Sequence, residues 1–234
     1  MIRTILFDLG GTLDGDGLHW LDRFVGLYAE AGVRLPRETL RAAFDEAERR
    51  ASSDEGMSRA HFSDMVLRHL EWQFEVLGLN DRPLRQSIGG RFIAAVERTG
   101  RLNVTTLSSL KDRGLTLGVV SNACGNADVL CDDLGYTPYL SFVVDSRRVG
   151  LTKPDPAIYE HAASLAGCPV RAIMMVGDSF ERDIVPARSL GMKTAWLQPA
   201  GASTHCPDPA LVDLFLSSVG ELPARLETLE PTAA

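Results

Sequence analysis

Arg3-Thr-Ile-Leu-Phe-Asp-Leu-Gly-Gly-Thr-Leu-Asp-Gly-Asp-Gly17 is the stretch from which the fold is read. Ile5, Leu6 and Phe7 form a short apolar run closed by glycines, the pattern of a strand buried on both faces. Asp8 follows at once. In open parallel sheets, ligands bind off the carboxyl ends of the strands, and a carboxylate buried there needs a cationic partner. Gly10 and Gly11 lack a Cβ, so the backbone can turn sharply and approach an ion or a phosphate. Asp8 therefore reads as a nucleophile or a metal ligand. An Asx-turn closing the strand would use the same residue.

Outward from Gly17 the pattern becomes helical. Residues 19–31 place Leu21, Phe24, Val25, Leu27 and Tyr28 near one face. Pro36 opens a second helix to about residue 51. Ser58 can cap a third, whose Phe62, Met65, Val66, Leu70, Phe74 and Leu77 keep helical spacing. Residues 83–99 make a fourth, weakened by Gly89-Gly90. Residues 17–99 thus read as an all-helical insert. From residue 104, helices alternate with strands: helix 104–113, strand 115–120, helix 126–134, strand 141–144, helix 156–166, strand 172–176, a helix ending at Leu190, strand 193–197, and a last helix 211–219. Such alternation implies an α/β fold with a doubly wound, Rossmann-like parallel sheet. The expected organisation is a core of residues 1–16 and 100–234 and a spliced-in helical domain of residues 17–99. The tail from Pro223 is poor in apolar residues and is expected to be loosely held.

Composition narrows the function. The 234 residues carry a net charge of −7, which argues against nucleic-acid or anionic-membrane partners, since both need a basic face. Cys124, Cys131, Cys168 and Cys206 show neither Cys-x-x-Cys nor zinc-type spacing and read as reduced thiols of a cytoplasmic protein. The chain reaches Asp8 without a signal-peptide apolar region, and no apolar run is long enough to span a bilayer. Of 24 basic residues only Lys111, Lys153 and Lys193 are lysines, so a lysine inside a motif stands out.

Three later loops also follow strand ends. Ser121-Asn122 offers a hydroxyl and free N–H groups suited to an anionic oxygen, although Ser-Asn is also ordinary turn chemistry. Gly150-Leu-Thr-Lys-Pro-Asp-Pro156 fixes Lys153 between a glycine turn and a proline-stiffened helix start. It could pair with a phosphate and with Asp8, or be a solvated surface lysine. Val176-Gly-Asp-Ser-Phe-Glu-Arg-Asp183 puts Asp178 at the end of a strand expected beside the first, and Asp183 where a helix begins. With Asp8 they make an oxygen-rich cage suited to Mg²⁺; without a cation, such charges repel. Asp183 could instead serve as a helix N-terminal charge, which leaves Asp178 unexplained.

Together these motifs, Asp8 with Gly11-Thr12, Ser121-Asn122, Lys153-Pro154, and Gly177-Asp178-Ser179 with Asp183, resemble the haloacid dehalogenase superfamily in order and spacing. The resemblance is to the subgroup whose helical cap follows the first strand, and it covers essentially the whole chain. It implies a Mg²⁺-dependent phosphohydrolase of a small phosphorylated metabolite, working through an aspartyl-phosphate. Asp8 would attack phosphorus. Ser121, the Asn122 amide and Lys153 would hold the phosphoryl oxygens, in a pocket that includes Gly11 and Thr12. Asp8, Asp178 and the Gly10 carbonyl would bind Mg²⁺, with Asp183 in support, and the cap would close over the site.

One position departs from that family pattern. Phosphatases of the family usually carry a second Asp two residues after the nucleophile, as proton carrier; here that residue is Gly10. General acid–base help is worth roughly 10²–10⁴-fold in rate, so the implied enzyme is slow, selects its leaving group, or recruits another acid such as Asp14 or Asp16, although loop acids near the hinge are the simpler reading of both. An alternative is a degenerate member that binds Mg²⁺ and a phospho-ligand or partner with little turnover. A phosphonoacetaldehyde hydrolase-like member would need a cap lysine, and residues 17–99 contain none. A 2-haloacid dehalogenase-like member would carry an aromatic residue at position 10 and lack the Gly-Asp pair, so Asp178 argues against it. Substrate choice is expected in the cap and in the loop after Thr12; Arg23, Arg59, Arg82, Arg85 and Arg91 are candidates or solvated helix faces, and His19 and Trp20 touch substrate or serve ordinary packing.

Overall fold

The protein is described by a computed structural model, covering residues 1–202 and 205–229. Six strands form one all-parallel sheet: β1 (Thr4–Phe7), β2 (Thr116–Ser121), β3 (Phe142–Asp145), β4 (Ile173–Gly177), β5 (Lys193–Leu197) and β6 (Leu214–Leu216). Their order is β3-β2-β1-β4-β5-β6, so β1 is central and β2 and β4 flank it. Every residue of β1 is buried, as a sheet covered on both faces requires. Ile5 and Phe7 join the larger core, whereas Leu6 packs on the other face with Ile158, Tyr159 and Ala187.

Between β1 and β2 the chain is helical: α1 (Trp20–Glu30), α2 (Arg37–Ser53), α3 (Phe62–Val76) and α4 (Arg82–Asp112). Phe24, Phe44, Phe62, Leu70 and Phe92 bury one continuous apolar interior that reaches the sheet through α4 residues Leu107 and Leu110. The second half adds α5 (Ala127–Asp133), the single turn α6 (Ser146–Val149), α7 (Pro156–Ala166), the short α8 (Val185–Ser189) and α9 (Leu222–Leu229). Asp155 caps α7 by accepting the Ala157 N–H at 2.9 Å, with Pro156 in the first turn, as expected of both residue types.

Four local expectations differ. The helices read at 83–99 and 104–113 are one, α4. Ser58 lies in a short helical turn, Glu55–Arg59, and His61 stands at the α3 N-cap. There the neighbouring α5 supplies the capping acceptor: Asp133 Oδ2 takes the Phe62 N–H at 2.7 Å. Residues 211–219 are not a helix but include β6, whose Leu214 and Leu216 are buried while Phe215 is exposed. The tail expected to be loose begins inside α9, where Leu222 and Leu226 are buried; residues 230–234 of that tail lie outside the described residues. No described helix is long and apolar enough to cross a membrane. All four cysteines are free thiols.

Candidate active site

Register builds the site. Phe7 pairs with Val119 of β2 and with Val176 of β4, so the residues just beyond, Asp8, Ser121 and Asp178, emerge at one edge of the sheet. The Asp8 N–H still donates to the Val176 carbonyl at 2.9 Å, which anchors the carboxylate to the neighbouring strand.

The turn over Leu9–Leu13 follows. Gly11 has φ +87°, and a Cβ there would lie 2.6 Å from an Asp178 carboxylate oxygen. Only glycine meets both demands. Thr12 knits the two strand ends together: its Oγ1 lies 3.1 Å from Asp178 Oδ1 and 3.3 Å from Asp8 Oδ2, and it accepts the Asp178 N–H at 3.1 Å. A hydroxyl has one proton to donate, so the two carboxylates share it.

Lys153 is 4% exposed. Its Nζ donates to Asp8 Oδ1 at 2.5 Å and to Asp183 Oδ1 at 2.7 Å. Burial pushes its pKa down, but the charges of Asp183 and Asp8 outweigh that and leave it above the ordinary value. The solvated-lysine alternative is thereby removed. Asp183 is fully buried and also accepts the Ser179 N–H at 3.1 Å. Burial raises the pKa values of both Asp178 and Asp183. For Asp178, repulsion from Asp8 and Asp183 adds to it.

One oxygen from each of Asp8, Asp178 and Asp183 lies within 4.8 Å of the others. Three carboxylates against one ammonium leave an excess of negative charge, and the donors are all hard oxygens. That set fits a hard divalent cation and not a thiolate- or imidazole-seeking one.

Ser121 is buried and lines the cavity beside Asn122. The Asn122 side chain is already occupied: its Nδ2 donates to the Lys153 carbonyl at 3.0 Å and its Oδ1 accepts the Lys153 N–H at 2.9 Å. Asn122 therefore clamps the lysine loop, and only its backbone amide is left for a ligand. The sequence reading missed Asp145. This buried residue at the end of β3 accepts N–H groups from Gly125, Ala127 and Arg147 at 2.9–3.1 Å, and so shapes the loop after Ser121. The available signal was an apolar strand ending in Asp.

The site opens into a cavity of about 410 Å³ between the sheet edge and the helices of residues 20–76. His19 and Trp20 line it; of the arginines, Arg41 and Arg182 do, whereas Arg23, Arg59, Arg82, Arg85 and Arg91 do not. Arg85 and Arg91 instead pair with Glu71 and Glu30. Asp14 and Asp16 also separate. Asp14 lines the cavity, accepting the Gly11 N–H and the Trp20 Nε1–H at 2.6 Å each. Burial lifts its pKa to about 6 despite those donors. Asp16 turns away and accepts the Val219 N–H at 2.9 Å. Gly10 lines the cavity with ordinary backbone angles, φ −74° and ψ 117°.

A doubly wound sheet with an acidic cluster and a bridging lysine at one strand edge defines a hydrolase class. The chain belongs to the haloacid dehalogenase-like hydrolase family, whose profile matches residues 2–191. It is 36% identical over 124 residues to haloacid dehalogenase-like hydrolase domain-containing protein 3 of Danio rerio, covering 53% of this chain and 50% of that protein. The chain spans about half the length of the first such curated relatives. It is 28% identical over 232 residues to a glyceraldehyde 3-phosphate phosphatase of Methanocaldococcus jannaschii, covering 95% and 96% of the two chains. The fold matches that of a HAD phosphatase from Thermococcus onnurineus, with TM-score 0.57, 20% identity and coverage of 96% and 98%. A dehalogenase structure also shares it, with TM-score 0.65, 19% identity and 96% coverage of each chain.

Proposed function

We propose that the protein is a Mg²⁺-dependent phosphohydrolase of a small phosphorylated metabolite, acting through an aspartyl-phosphate on Asp8. The observation that carries this reading is the convergence of Asp8, Asp178 and Asp183 within 4.8 Å, with Lys153 bonded to two of them. The full-length similarity to a protein named as a glyceraldehyde 3-phosphate phosphatase supports a small phosphate ester as substrate.

In this mechanism an Asp8 oxygen forms a bond to phosphorus as the ester P–O bond breaks, and water later cleaves the acyl phosphate. Lys153, the Ser121 hydroxyl and the Asn122 backbone N–H hold the phosphoryl oxygens as negative charge develops, in a pocket completed by Gly11 and Thr12. Asp8, Asp178 and the Gly10 carbonyl would hold Mg²⁺, with Asp183 in support. When bound, that ion supplies neutralising charge at the phosphoryl oxygens. Residues 17–99 act as a cap that excludes water from the cavity, above a core of residues 1–16 and 100–234.

Gly10 cannot protonate the leaving oxygen. Asp14 is the nearer substitute of the two loop acids, yet two donors already hold its oxygens, an arrangement that favours a fixed acceptor over a mobile acid. Slow turnover, or preference for leaving groups that depart without a proton, follows. The same glycine favours a second reading, a binder of Mg²⁺ and a phospho-ligand with little turnover. Incubation with Mg²⁺ and an aryl phosphate separates the two: hydrolysis lost in Asp8→Asn marks the enzyme, while equal background in both proteins marks the binder.

A further inference from the structure

The helical part of the cavity wall carries a polar arrangement that phosphoryl chemistry does not use. His69 on α3 is 2% exposed and lines the cavity. Aromatic rings fix it in place: Phe24 stacks at 5.8 Å, Phe44 lies at 4.9 Å and Trp20 meets it edge-on at 6.3 Å. Gln73, one turn along, approaches Nδ1 with its amide nitrogen at 2.9 Å, and its carbonyl accepts the Tyr28 hydroxyl at 3.2 Å. An amide NH₂ only donates, so Nδ1 presents its lone pair and the proton of the neutral ring sits on Nε2.

Nε2 lies 2.9 Å from Glu48 Oε1 on α2. The pair lacks the alignment of a hydrogen bond, and Nε2 is otherwise a buried donor without a partner. The Glu48 carboxylate is half exposed on the cavity wall. Burial works to raise its pKa, but His69, His19 and Arg182 prevail and hold it below the usual carboxylate range. Glu48 is thus an ionised acceptor at the cavity surface, 2.9 Å from a His69 ring that Gln73 and three aromatic rings hold in place.

An anion on the wall of a phosphate-ester pocket repels phosphate, so its use lies with the rest of the ligand. It accepts hydrogen bonds and cannot give them. Two groups could supply the donor, a hydroxyl or an ammonium. Asp45 and Asp14 line the cavity as well as Arg41 and Arg182, but Arg182 already acts on Glu48 as a positive neighbour, which disfavours a second cation at that carboxylate. We infer that Glu48, positioned by His69, reads a hydroxyl on the organic part of the phosphorylated ligand, and that hydroxylated phosphate esters are the class this pocket selects. This rests on the cavity being the phosphate-ester site proposed above.

The test uses binding, so that it does not depend on turnover. In Asp8→Asn protein with Mg²⁺, calorimetry compares glycerol phosphate, propyl phosphate and phosphoethanolamine. Glycerol phosphate is expected to bind about tenfold tighter than propyl phosphate, the scale of one charged hydrogen bond. Adding Glu48→Ala, at a half-exposed position, is expected to bring that ratio close to one. His69→Phe, which keeps the ring packing, is expected to lower the ratio as well. A ratio near one in the parent, a ratio unchanged by Glu48→Ala, tightest binding by phosphoethanolamine, or no binding by any ester overturns the inference. Failure of Asp8-dependent hydrolysis with the binding ratio intact overturns the enzymatic reading alone.

Discussion

Gly177 leaves no room for a side chain beside Asp183: a Cβ at position 177 would overlap the Asp183 carboxylate. The glycine of the Gly-Asp pair is therefore a requirement of the acid six residues later that meets Lys153. Gly177→Ala is expected to displace Asp183 and cost about 1–3 kcal/mol, the usual penalty of overpacking. Denaturant unfolding measures the loss, and Mg²⁺ affinity should weaken in the same variant. Unchanged stability and affinity would mean that the neighbouring turn gives way without disturbing the cluster.

Asn122 acts through Lys153. Its two hydrogen bonds hold the backbone of that residue, while Lys153 Nζ holds Asp8 and Asp183. Asn122→Ala is expected to destabilise the fold by about 1–2 kcal/mol and to lower phosphoester turnover by about tenfold or more through misplacement of the ammonium. Steady-state kinetics beside thermal unfolding separates the two effects. Turnover equal to the parent's would show that the lysine finds its place without the clamp.

Position 10 is sterically permissive. The nearest atom to an added Cβ would be Trp20 Nε1 at 3.8 Å, and φ is negative. Gly10→Asp is expected to fold normally and to raise kcat on alkyl phosphates, within the roughly 10²–10⁴-fold range of general acid–base help, with a smaller gain on aryl phosphates, whose leaving groups need less protonation. A folded variant with no gain on alkyl esters would show that Gly10 is not where a proton carrier is missing.

The buried acids set a pH dependence. In the metal-free protein the pKa values of Asp178 and Asp183 are raised, by burial first. The native state then binds more protons than the unfolded chain between the unfolded and folded pKa values, and stability falls as pH rises through that window. A divalent cation binds the deprotonated form and competes with protons. The rise in melting temperature on adding Mg²⁺ is therefore expected to be larger near about pH 7.5 than near about pH 5.5. An equal rise at both, or none at either, would count against the three acids as the ligand set.

Much of this site was legible because its parts follow strands. Apolar runs ending in Asp8, Ser121 and Asp178 mark one sheet edge, and β4 lies beside β1 as the topology required. Helix boundaries were less legible where packing overrides local preference. Gly89-Gly90 does not interrupt α4, and a Cβ at Gly89 would meet the Leu67 side chain of α3 at 2.6 Å. Residues 211–219 read as a helix, but Leu214–Leu216 pair in parallel with β5 as β6. Arg41 was missed because helical position alone does not tell which face of the 17–99 segment turns toward Asp8. Arg41 faces it and Arg85 does not.

Helix α4 runs unbroken for 31 residues, about 46 Å at 1.5 Å per residue, from the helical layer above the cavity down to the sheet. One of the two passages between those layers is therefore a rod and not a swivel. The other passage, residues 13–19, is held at its Leu13 carbonyl by Asn103 of α4 and by Tyr136. Any shift of one layer against the other would therefore have to bend that rod or break the two hydrogen bonds at Leu13.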